Sequence, residues 1–225
     1  RLPHLETVID DICFVKSMYT DQFNHGPAQL LMHTGSQNLG SASFGAWATY
    51  GLGSENQDLP GYVVMLDKRG GPIGGQPNWS SGFMPSTFQG TLFRPVGDPI
   101  LDLRGPAHVD PRVQREQLDL LAQLNHEHLA QRPGGQELAA RINSYELAFR
   151  MQDVLPDLMD ITEETPKTLD LYGIDGGEAD SFGRQCLMAR RFVESGVRFV
   201  EITHGNWDHH FRLKTDLPAR CNEVD

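Results

Sequence analysis

The spacing of apolar and polar positions changes period several times along this chain, and each change predicts an element. HLETVIDD reads as helical, and the short apolar, β-branched run ICFVKSM that follows, Ile12 to Met18, predicts a buried strand. In NHGPAQLLMHTGS, Asn24 to Ser36, an apolar run opens at Pro27, which suits a first helical turn. Gly26 or His25 is placed as N-cap and Gly35 as the stop. SFGAWATYGLG predicts a second short helix, and GYVVML, Gly61 to Leu66, a second buried strand. Helix, strand, helix, helix, strand is the order of an α/β layer.

Between residues 67 and 109 no period of 2 or 3.6 is sustained. GGPIGG, WSSGFMPSTFQG and FRPVGDP are rich in Gly, Pro, Ser and aromatics, which predicts a long irregular excursion. Its Trp79, Phe83, Phe88 and Phe93 favour a loop that packs. Helical spacing returns at Asp110, an N-cap, with Pro111 in the first turn and Leu118, Leu121 and Leu124 on one face. RPGG, Arg132 to Gly135, breaks it. A second helix follows with Leu138, Ile142, Tyr145 and Phe149, ending before Pro156, so residues near 110–155 predict an inserted antiparallel helical pair. SFGRQCLMARRFVESG predicts a helix stopped by Gly196, then VRFVEIT a strand from Val197 to Thr203. The chain closes in a helix after Pro218.

Composition narrows the function classes. With 225 residues, 39% hydrophobic and 22% charged, the chain can bury one domain core. A formal charge of -11 without a basic stripe argues against a nucleic-acid partner. No apolar run reaches membrane-spanning length, and RLPHLETVID lacks the features of a secretory signal. Cys13, Cys186 and Cys221 are odd in number and far apart, so neither a disulfide framework nor a cysteine zinc site is expected.

Two stretches carry candidate chemistry. THGNWDHH, Thr203 to His210, holds three of the nine histidines on the loop leaving a strand, where ligands collect in open parallel sheets. His204, Asp208, His209 and His210 offer the imidazole and carboxylate donors that suit zinc and other first-row divalent metals. Adjacent His209 and His210 diverge, so one faces the site while the other packs. In the Asn24 to Ser36 stretch, the free N–H groups of a helix start attract an anion, with Gly26 allowing close approach. His25 beside them can bind metal, act as nucleophile, or serve as general acid or base. His126 and His128, two apart on one helix, face different ways and are expected to be solvated.

At FNHGPAQLLMHTGSQ, WATYGLGSENQDLPGYVVML, GGPIGG with NWSSGFMP, SYELAFRMQ, FGRQCLMARR and GVRFVEITHGNWDHH the chain resembles DUF1501, a bacterial family related to sulfatases and alkaline phosphatases. The resemblance covers essentially the whole chain. It implies an alkaline-phosphatase-like α/β sandwich, a mostly parallel central sheet flanked by helices, forming a single domain over 1–225 that is incomplete at both ends. It also implies a divalent metal, zinc first, with calcium, magnesium or manganese as alternatives. Asp208 and His210 are the first choices as ligands and His204 and His209 the next. Placing Pro27 on the proline of the sulfatase CxPSR motif puts Thr34 and Gly35 on its Thr-Gly pair and His25 on the nucleophile. Asn24, Gly26 and Thr34 then line the anion. Ala28 and Gln29 replace that motif's serine and arginine, and a histidine cannot become formylglycine.

The expected function is therefore metal-dependent hydrolysis of a sulfate or phosphate ester, with a small-molecule or glycan ester as substrate. The alternative is a non-catalytic relative that binds an anionic or glycan ligand. Family relatives are often exported by twin-arginine signals, which implies a periplasmic or extracytoplasmic location.

Overall fold

In the computed structural model, residues 2–94, 99–100, 103, 105, 108–131, 136–177 and 179–225 are described. Among them the helices are α1 (Pro3–Thr7), α2 (His25–Thr34), α3 (Phe44–Leu52), α4 (Pro111–Ala130), α5 (Gln136–Met159), α6 (Pro166–Leu171), α7 (Asp180–Glu194) and α8 (Leu213–Val224). The strands are β1 (Tyr62–Met65), β2 (Thr91–Phe93) and β3 (Phe199–Ile202). They form a parallel sheet in the order β2-β1-β3, with Val63 opposite both Thr91 and Val200.

Every residue of β1 is buried, because helices cover both faces of this central strand. That is why GYVVML reads as a continuous apolar run rather than an alternating one. The period of two still sorts its side chains. Val63 and Met65 join Leu59, Phe93, Met151, Leu155, Met188, Phe192 and Val197 in the main core under α5 and α7. Tyr62 and Val64 turn to the other face with Trp79. Phe93 and Phe192 meet edge to face at 4.9 Å, tying β2 to α7. On the opposite face α3 comes so close that a Cβ at Gly45 would lie 2.5 Å from Cζ of Tyr62, so only glycine fits there.

The mixed α/β architecture, with a small parallel sheet between helices, matches the sequence expectation, and several boundaries do not. Ile12–Met18 forms no strand: no strand among the described residues pairs with it, and Phe14 and Val15 are more than half exposed. An apolar run becomes a strand only where a ladder and a covering layer receive it. The preceding helical stretch shortens to α1 and a 3-10 turn at Ile9–Asp11. The irregular excursion contains β2, recruited because Thr91–Phe93 pairs along the free edge of β1, and 3-10 turns at Gln76–Trp79 and Ser86–Phe88.

Two prolines fail to stop helices. α5 runs through Pro156 to Met159, where Arg191 donates to the terminal carbonyls of Asp157 and Leu158 and Leu155 is fully buried. Those bonds and that burial outweigh the one hydrogen bond proline removes. α8 begins at Leu213, before Pro218 rather than after it. The helical pair is as expected: α4 starts at its Asp110 cap and runs against α5, with Arg115 gripping Glu146 through both guanidinium arms, at 2.9 and 2.7 Å, and lying over the Phe149 ring. Leu121 and Leu124 stay exposed all the same. The RPGG breaker, Arg132 to Gly135, lies outside the described residues. His126 and His128 are exposed, as expected, and the three cysteines are unbonded.

Candidate functional site

The two chemistry-bearing stretches meet beyond the carboxyl ends of β1 and β3, the end of a parallel sheet where loops converge. Pairing continues past the strands: the Thr203 N–H donates to Met65 O, and the Asp67 N–H donates to Thr203 Oγ1 at 3.1 Å. Asp67, 7% exposed, then accepts the Gly205 N–H at 3.0 Å and the Arg69 N–H at 2.8 Å. Burial alone would raise its carboxyl pKa. The two N–H groups, with the charges of Arg69 and His204, override burial and hold it below the usual value. Asp67 thus pins the start of the 203–212 loop. Asn206 and Arg212 within that loop hold left-handed backbone, a conformation that costs a non-glycine residue free energy and recurs at functional loops.

From the other direction, α2 delivers His25 as its first residue. Asn24, not Gly26 or His25, is the cap, and its side chain accepts the Gly26 N–H. Gly35 ends the helix in left-handed backbone as its position predicts. His25 Nε2 lies 2.8 Å from Asp208 Oδ2, and His210 Nε2 lies 2.7 Å from the same oxygen. One donor atom from each of the three residues falls within 4.8 Å of the others. The hydrogen bond from His210, followed by the charges of His210 and His25, holds the Asp208 carboxyl below its usual pKa. Two imidazole nitrogens and a carboxylate oxygen on an open, half-exposed surface are donors that could hold a divalent ion, with room for further ligands.

Not every expected residue joins this triangle. His204 turns away, its ring against Phe182 and Trp207 and its Nε2 2.9 Å from Glu223 Oε2. His209 diverges from His210, and its Nε2 is buried without a hydrogen-bond partner among the described residues. Thr34 lies at the far end of α2, about 13 Å from His25 along the axis, and its hydroxyl binds Leu30 O. Gln29, at the arginine position of the sulfatase motif, accepts the Ile73 N–H and ties α2 to the GGPIGG turn.

A second network lies beside this triangle. Glu223 from α8 accepts from Arg69 at 2.5 Å, Arg220 at 2.8 Å and His204 at 2.9 Å, and Arg69 bridges it to Asp67 at 3.0 Å. Asp67 carried a usable signal, an acid directly after a predicted buried strand. Glu223 carried none, since only the return of α8 brings it in.

The model of the family described as "Protein of unknown function (DUF1501)" matches residues 1–225. The chain belongs to the DUF1501 family. Comparison of this DUF1501 chain with curated proteins and with solved structures gives no match. No helix among its described residues is long and apolar enough to cross a membrane.

Proposed function

We propose that this chain is a metal-dependent hydrolase of a sulfate or phosphate ester, with His25, Asp208 and His210 as ligands to a divalent ion. The observation that carries the reading is the convergence of two imidazole nitrogens, from separate parts of the sequence, on one Asp208 oxygen. Zinc suits this donor set best, with calcium, magnesium or manganese as alternatives. The parallel sheet covered on both faces, with its donors beyond the strand ends, supports an alkaline-phosphatase-like relationship.

Bound there, a divalent ion would supply Lewis acidity and lower the pKa of a coordinated water. The chain's own residues do the rest. The positive end of α2 favours an ester anion beside His25. Asn24 holds the first turn of that helix closed, which fixes where the His25 ring stands. Asp67, through Gly205 and Thr203, fixes the loop that presents Asp208 and His210.

The test is metal content by mass spectrometry after equal exposure to divalent ions, followed by hydrolysis assays on a panel of phosphate and sulfate esters. The expected result is one ion per chain, lost in an Asp208→Ala, His210→Ala variant, and ester turnover that disappears with it. Absence of stoichiometric metal in the native chain, or of any turnover in the metal-loaded chain, would overturn the reading.

A further inference from the structure

At the opposite end of the sheet, by the amino ends of β1 and β2, an open cleft of about 940 Å³ lies between the loop after α3, the Ser86–Phe88 turn and α5. It is of the size that holds a several-ring ligand. Its lining is more polar than apolar, and the Phe88 ring within it meets Tyr50 edge to face at 5.3 Å, with Leu147 also in the lining. Its rim carries Gln57, Thr87 and Asn143, whose side chains make no hydrogen bond to other described residues. Amides and a hydroxyl from all three of these elements, with the aromatic Phe88 among them, match a ligand that carries both hydroxyls and C–H groups.

Charge refines the match. Among the cleft's ionised groups, Glu146 is taken by Arg115 at 2.7 Å, and Arg150 pairs with Asp58 at 3.2 Å. Arg141 has no partner among the described residues, which leaves one free guanidinium in the cleft, while the chain as a whole has a formal charge of -11. One positive charge is too little for a polyphosphate or a nucleic-acid backbone, and suits a single carboxylate or sulfate on a sugar. We propose that this cleft is a binding site for an acidic oligosaccharide, with Arg141 taking the acidic group, Gln57, Thr87 and Asn143 the hydroxyls, and Phe88 a ring face.

The site shares no residue with the His25–Asp208–His210 triangle, so it is tested with chelator present. Calorimetric titrations with cellohexaonate, which carries one terminal carboxylate, a mono-sulfated cellohexaose and neutral cellohexaose separate carboxylate from sulfate and both from neutral sugar. One acidic oligosaccharide binds with Kd on the order of 0.1–1 mM, and more weakly as salt rises. Arg141→Ala, an exposed helix position, weakens it about tenfold with an unchanged circular dichroism spectrum. Asn143→Ala with Gln57→Ala weakens it several-fold, and Asp208→Ala leaves it unchanged. Equal binding of cellohexaose, no binding of either acidic sugar, or an Arg141→Ala variant that binds as the native chain does would each overturn the proposal.

Discussion

Asp67 is the residue on which the end of the sheet turns. It is almost wholly buried and accepts two backbone N–H groups and one guanidinium arm, so its charge is compensated where it stands. Its folded-state pKa lies below the unfolded value of about 3.9. The stability it contributes is therefore present above about pH 4 and fades as pH falls through its folded pKa. Asp67→Asn removes that charge at similar size. Urea unfolding should show the variant about 1–3 kcal/mol less stable at pH 7, with the gap narrowing toward pH 3. A gap that is constant across this range would mean that Asp67's charge does not stitch the strand ends.

Among the elements, α3 depends on one missing methyl group. Ala in place of Gly ordinarily favours a helix, but a Cβ at Gly45, in the first turn of α3, meets the Tyr62 ring, which is 2% exposed and whose hydroxyl donates to Glu201. Neither ring nor helix can retreat without opening the face that carries Val64 and Trp79. Gly45→Ala is expected to destabilise by about 1–3 kcal/mol, read as a lower thermal midpoint. A raised midpoint would mean that α3 is free to shift. The same contact explains a limit of sequence reading. SFGAWATYGLG signals a helix plainly, and nothing in it tells which glycine faces a tyrosine.

The whole molecule is held by a core drawn from distant parts of the chain: Phe93 on β2, Met151 and Leu155 on α5, and Phe192 on α7 close around β1. Phe192 has no exposed surface, and truncating it leaves a cavity that these elements cannot all collapse into. Phe192→Ala should cost about 3–5 kcal/mol, measured as a fall in the denaturant midpoint with the slope unchanged. A loss below about 1 kcal/mol would place the cooperative core elsewhere. This core also sets the distance between the two ends of the sheet, and so keeps the triangle and the polar cleft apart.

By itself the sequence determined the elements with strong local signals: α2 with its Gly35 stop, α3, the buried β1, the capped α4 and the α7–Gly196–β3 passage. Each rests on spacing, caps or breakers within a dozen residues. It also marked His204, Asp208, His209 and His210 as candidates, because donors crowd there, and His25 beside a helix start. Tertiary structure alone decided the rest. Ile12–Met18 had the composition of a strand and found no strand to pair with among the described residues, while Thr91–Phe93 had little signal and found the edge of β1. The run of α5 past Pro156 to Met159 was set by Arg191 from another helix. His25 joined Asp208 and His210 across the fold while His204 left for Glu223, because the direction in which a side chain points depends on which backbone lies opposite.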